Sequence, residues 1–153
     1  MIIERAHHLE KLIKKGKVLI VYGPRRAGKT TLLASFLRQT SLKYKLSSGD
    51  NIKVQQIFSS SDFDLINEYA AGYDIIAIDE AQQIEKIGQG LKILVDQNPR
   101  IIIIATGSSS FDLSQKIGEP LTGRKKTIIL YPLAQREFLK IFNNKLFQQH
   151  LNT

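Results

Sequence analysis

The sequence predicts an α/β fold in which a mainly parallel sheet is sandwiched between layers of helices. Three observations carry this. Residues 18–22, 75–78 and 101–105, within expected strands at 17–22, 74–79 and 100–106, are short, continuously apolar runs, as strands buried on both faces read. Segments with the 3.6-residue apolar period separate them, the alternation that builds a parallel sheet. The first run also ends in a glycine-bounded loop that opens directly into a helical segment, placing a ligand site at the carboxyl ends of the strands.

Composition narrows the class. The 153 residues fit one domain, and 42% hydrophobic with 24% charged residues is ordinary for a globular chain. The apolar runs are far shorter than the roughly 20 residues of a membrane helix, and Met1-Ile2-Ile3-Glu4-Arg5 does not open a secretory signal, so the expectation is a cytoplasmic protein with no membrane partner. The absence of cysteine excludes disulfides and thiolate sites. A net charge of +8 allows a polyanion such as DNA as partner without demanding one, since Arg25, Arg26 and Lys29 sit where nucleotide phosphates would lie.

Taken in order, Ile2, Ala6, Leu9 and Ile13 recur at helical spacing, so a short amphipathic helix opens the chain and Gly16 ends it. A strand over 17–22 and a helix over 30–39 follow. A weaker strand is expected at 43–47, then a stretch around 54–58 and a helix over 62–71 capped by Ser61 or Asp62. Next come the strand at 74–79, a helix over 84–95 and the isoleucine-rich strand at 100–106. A long polar connection over 107–123 carries one helical turn near 111–116. A last strand at 127–131 precedes Pro132 and a helix over 134–143.

The chemistry begins in the first loop. Gly23-Pro24-Arg25-Arg26-Ala27-Gly28-Lys29-Thr30, followed by Thr31, has the spacing G-x-x-x-x-G-K-T. A triphosphate needs many donors converging without steric hindrance, and such a loop supplies backbone N–H groups and the positive end of a helix dipole. Lys29 is placed to neutralise the β- and γ-phosphates, and the Thr30 hydroxyl suits Mg²⁺, which takes hard oxygen ligands. The pattern predicts binding of ATP or a close purine relative. Arg25 and Arg26 lie inside the loop, where their side chains either tune charge or touch phosphate.

The apolar run 75–78 delivers Asp79 and Glu80 at a strand end, a Walker B arrangement. Asp79 would hold Mg²⁺ and Glu80 would polarise the attacking water. Alone, the pair would read as a solvated strand end; about fifty residues after a P-loop the functional reading prevails. The run Thr106-Gly107-Ser108 places small hydroxyls where a γ-phosphate would sit if its strand lies between the other two, and either Thr106 or Ser108 is a candidate sensor. Thr-Gly-Ser is equally ordinary turn chemistry. Arg124 is a candidate arginine finger acting from a neighbouring subunit, set against a solvated basic run 124–126. His7 and His8 lack partners at ligand spacing and read as surface or packing residues.

With these motifs in hand, the chain resembles the prokaryotic AAA-type ATPases of the AAA_14 group. The likeness is carried by residues 23–33, Asp79-Glu80-Ala81-Gln82, residues 106–110, 121–124 and 130–133, and Arg136-Glu137-Phe138. It implies a three-layer P-loop NTPase of the AAA+ type with a five-stranded parallel sheet, ATP with Mg²⁺, and hydrolysis coupled to movement of attached domains or of subunits in a homo-oligomer. It favours Arg124 as a finger. Residues 1–16 are then an N-terminal helix, 17–131 the nucleotide-binding core, and 132–153 a helix leading toward a lid and C-terminal domain that such relatives carry. Without that lid, slow hydrolysis is expected. The alternative is a nucleotide-gated interaction module that binds ATP with little turnover. A small-molecule kinase fits less well, because of the Asp79-Glu80 pair and the lack of an evident substrate-phosphate arginine cluster in a lid.

Overall fold

A computed structural model describes residues 9–24, 28–108 and 119–130. Five strands form one all-parallel sheet: β1 (Lys17–Tyr22), β2 (Tyr44–Ser48), β3 (Ile75–Asp79), β4 (Ile102–Gly107) and β5 (Lys125–Ile129). Their spatial order is β2-β3-β4-β1-β5. Strand β4 therefore lies between β1 and β3, the condition on which its terminal hydroxyls become relevant. Among the described residues, beside a helical turn at 9–12, the helices that connect or flank them are α1 (Lys29–Gln39), α2 (Ile52–Ser59), α3 (Phe63–Ala70) and α4 (Ile87–Gln97).

The two-residue period of the strands divides the core. Val18, Ile20, Ile76, Ile78, Ile103 and Ala105 face one layer, against Phe58, Ile66, Leu91 and Leu94 of α2, α3 and α4. Leu19, Val21, Ala77, Ile102 and Ile104 face the other, against Leu32, Leu33, Phe36 and Leu37 of α1 and Leu9 of a helical turn at residues 9–12. Burying both faces of β1, β3 and β4 is what their continuous apolar runs require.

Several elements differ from the sequence expectation. The edge strands β2 and β5 are not apolar on both faces: Tyr44, Leu46 and Ile129 are exposed, because each edge strand has a single neighbour and incomplete cover. Strand β5 begins two residues early, fixed by its register on β1, from Val18 opposite Lys125 to Tyr22 opposite Ile129. The stretch around 54–58 is helix α2, with Asn51 Oδ1 accepting from the Lys53 and Val54 amides; Asp62, not Ser61, caps α3 the same way. Helix α4 starts at Ile87 rather than 84. A 3₁₀ turn (Ala81–Gln83) and left-handed Lys86, φ 57°, come first, although Ile84, Ile87, Leu91 and Leu94 still face the same core. The expected helices before residue 9 and over 134–143, and the turn near 111–116, lie outside the described residues, as do His7 and His8.

Candidate functional site at the carboxyl edge of the sheet

The loop after β1 delivers the chain to α1 through Gly28, which takes φ 87°, a left-handed conformation open to glycine at little cost. Gly28 caps α1 without any side-chain hydrogen bond, and the first turn contains no acidic residue but instead Lys29. A cation at a helix N-terminus opposes the dipole, so this end is poorly built for its own stability and well built for an anion. Lys29 is 5% exposed, and its Nζ donates to the carbonyls of Gly23 (2.6 Å) and Pro24 (2.8 Å). Burial pushes its pKa down, opposed by the negative charges of Glu80 and then Asp79.

The next residue reaches across the sheet. Thr30 Oγ1 donates to Asp79 Oδ2 at 2.7 Å, and Thr106 Oγ1 donates to Asp79 Oδ1 at 2.5 Å. Both carboxylate oxygens of Asp79 are thus held by threonine hydroxyls from the ends of two other elements. Thr106 is 1% exposed and its Oγ1 also accepts from the Glu80 amide at 3.1 Å. Its hydroxyl is engaged with the acid pair, and among the described residues Ser108 is the other hydroxyl at this end of β4.

Glu80 sits at φ 55°, an uncommon conformation for a non-glycine residue. Gln82 Nε2 donates both to Glu80 Oε2 (2.5 Å) and to Ser108 Oγ (2.8 Å), tying the acid to the end of β4. Gly49 closes the site from β2: its amide donates to the Asp79 carbonyl at 2.6 Å, and any Cβ there would collide with the Glu80 carbonyl. Gly28, Lys29, Thr30, Thr31, Asp50, Glu80 and Gln83 line an open cleft of about 450 Å³.

Lys29, Thr30, Thr31, Asp79, Glu80, Thr106 and Ser108 therefore meet at one end of the sheet, with Gly23, Pro24 and Gly28. Arg25, Arg26 and Ala27 lie outside the described residues. Sequence reasoning missed Gln82, Asp50 and Gln83; Gln82 carried a signal, standing two residues after Glu80. Arg124 is not at this site. It precedes β5, so the length of β1, about 20 Å, separates it from the cleft. There its Nε pairs with Asp96 Oδ1 at 2.7 Å.

A triphosphate and its magnesium fit this donor set. Thr30 and Asp79 bring two hard oxygens together, beside an open helix N-terminus and a lysine whose ammonium group donates to loop carbonyls. A family model described as an AAA domain, AAA_14, matches residues 15–139. The chain belongs to the AAA_14 family. This AAA domain is 31% identical over 143 residues to an uncharacterised protein of Mycobacterium tuberculosis, covering 90% of this chain and 31% of that one. It is 32% identical over 141 residues to an uncharacterised protein of Methanocaldococcus jannaschii, covering 85% and 29%. The chain thus spans about a third of the length of the curated relatives it matches.

Among solved structures, the AAA_14 domain is similar to the Walker-type ATPase PABY2304 of Pyrococcus abyssi, with TM-score 0.59, 22% identity, and 85% of this chain and 53% of that one covered. A second likeness is to a katanin structure concerned with self-assembly, with TM-score 0.52, 21% identity and coverage of 75% and 40%. These likenesses show the fold, that of P-loop AAA ATPases. Among the described residues no helix is long and apolar enough to cross a membrane.

Proposed function

We propose that this AAA domain binds ATP with Mg²⁺ in the cleft at the carboxyl edge of the sheet and hydrolyses it, coupling turnover to movement of attached domains or subunits. The observation that carries the reading is the Thr30–Asp79 hydrogen bond of 2.7 Å, which joins the P-loop helix to the acid pair in one polar cleft. Residues 17–131 form the nucleotide-binding unit in this reading. Backbone amides of Gly28 to Thr31 receive phosphate oxygens, and Lys29 exchanges its loop carbonyls for the β- and γ-phosphates. Thr30 and Asp79 would hold Mg²⁺, which when bound neutralises charge on the phosphate oxygens.

The chain's own residues then prepare the attack. Glu80 accepts a proton from a water as that water's oxygen bonds to the γ-phosphorus and the bond to the ADP oxygen breaks. Thr106 fixes Asp79 and the Glu80 backbone together, while Gln82 holds the Glu80 carboxylate in line with Ser108. In this reading Ser108 senses the γ-phosphate. Arg124, at the far end of the sheet, enters this chemistry only as a donor to a neighbouring copy.

The test is ATP binding and Mg²⁺-dependent phosphate release by the purified chain beside Lys29→Ala and Glu80→Gln. Release lost in both variants, with binding lost only in the first, supports the ATPase. The tether from Gln82 to Glu80 favours one second reading, a nucleotide-gated module in which the acid is held out of use. Binding without release in wild type selects that reading; no binding at all overturns both.

A further inference from the structure

We infer that the amino-terminal edge of the sheet carries a second site, a lysine-lined cleft that takes the phosphate backbone of a nucleic-acid duplex. Lys11, Lys14, Lys17, Lys125 and Lys126 line a cleft of about 410 Å³ together with Leu12, Ile13, Val18 and Leu19. Its position follows from the β1–β5 register, with Val18 opposite Lys125 and Leu19 opposite Lys126. This is the end of β1 away from the P-loop.

Among the described residues the charge there has no acidic counterpart on the cleft lining, and none of the five ammonium groups is in an ion pair. Lys17 Nζ does donate to the Gly123 carbonyl at 2.6 Å, which fixes it at the rim. The nearby Asp96 is already paired with Arg124. The nucleotide cleft does not use this excess, since its described lining sets one lysine against Asp50 and Glu80. Lys125 and Lys126 leave β5 on opposite faces, so the lysine charges are spread along this edge of the sheet; they repel one another, and a polyanion relieves them.

The chemistry selects among polyanions. The ammonium groups come from a helical exit and two adjacent strands spaced about 5 Å apart, a spread suited to a row of phosphates rather than one small anion. Among the described residues no aromatic side chain lines the cleft, and lysines contact the phosphate backbone independent of base sequence. Membrane binding fits less well. The exposed large apolar residues Leu42, Tyr44, Leu46, Ile52, Phe63 and Leu65 lie on or beside β2, α2 and α3, toward the opposite edge of the sheet, and Ile129 is at the far end of β5.

The experiment is fluorescence anisotropy of a labelled 20-base-pair DNA duplex titrated with the full chain between 50 and 200 mM NaCl. Wild type is compared with Lys11→Gln/Lys14→Gln and Lys125→Gln/Lys126→Gln, each checked for retained ATP binding to show an intact fold. With about 0.9 counterions released per neutralised phosphate, five contacts make wild-type affinity fall about 500-fold over that salt range and about 40-fold in each double variant. Duplex affinity at 50 mM that is lower in both variants, with the shallower salt slope, supports the site. No duplex binding at 50 mM overturns it. So does binding unchanged in both variants, or binding to phosphatidylserine vesicles in preference to duplex. Failure of ATP binding in wild type would sink the ATPase reading while leaving the duplex result to stand by itself.

Discussion

The two ends of the sheet treat charge in opposite ways. At the carboxyl end nearly every polar group is engaged: Asp79 by Thr30 and Thr106, Glu80 by Gln82, Lys29 by two carbonyls. At the amino end a set of lysines lines a hollow with no acid among the described residues of its lining. A network with its partners already in place has little freedom to lose when a substrate arrives, which is how positioned groups accelerate phosphoryl transfer. An uncompensated patch attracts a polyanion from a distance and fixes no atom precisely enough for chemistry. On the two readings proposed above, the comparison assigns reaction to one end and attachment to the other.

The sharpest way to break that contrast is at Glu80. Glu80→Gln keeps the size of the side chain but removes the base, and phosphate release should fall by about 1,000-fold with ATP affinity little changed, as separate binding and turnover assays would show. Lys29→Ala acts on the ground state as well. Loss of a charge-assisted contact worth about 3 kcal/mol should weaken ATP binding about 100-fold in a calorimetric titration. Neither change should alter duplex affinity, because the lysine cleft lies at the other end of β1. An equal loss of duplex affinity in Lys29→Ala would merge the two ends into one site.

Much of this division could be read from the chain before the fold was known. The continuous apolar runs of β1, β3 and β4 and the spacing of the P-loop and Asp79-Glu80 are local patterns, and local patterns survive in a sequence. What stayed hidden depends on strand order. Nothing in Thr106 announces that its hydroxyl is consumed by Asp79, because that bond exists only once β4 lies beside β3. Likewise Lys11, Lys14, Lys17, Lys125 and Lys126 are two separate clusters along the chain, joined only by the parallel pairing of β1 with β5. Edge strand β2 was faint for the opposite reason: an exposed edge does not need an apolar run.

Smaller effects test how tightly the reactive end is assembled. In Gly49→Ala the added methyl would meet the Glu80 carbonyl, so the turn carrying the acid must shift. Overpacking of this kind costs about 1–3 kcal/mol, read as a lowered denaturation midpoint, and turnover should fall with it. Gln82→Leu should leave the fold and KM nearly unchanged and lower kcat about tenfold, because Glu80 loses the donor that orients it. An increase in kcat would instead mean that Gln82 restrains the acid, and the gated-module reading would gain.

The smallest effect concerns Lys29 alone and follows from its burial. A lysine whose folded-state pKa is lowered loses its proton at a lower pH than it would in the unfolded chain. Below that folded pKa the ammonium is buried at a cost. As pH rises through it toward the ordinary lysine range the cost is relieved, so this group's contribution makes the nucleotide-free chain more stable with rising pH. ATP has the opposite preference, since its phosphates favour the protonated side chain and binding at alkaline pH must draw a proton from solution. Affinity should therefore weaken as pH rises through the lowered pKa, by at most about tenfold per pH unit. Lys29→Arg keeps its charge throughout the range and should flatten the profile even where its affinity is lower. Calorimetric titrations in two buffers of different ionisation enthalpy would show the proton uptake directly; equal uptake in wild type and Lys29→Arg would assign it to another group.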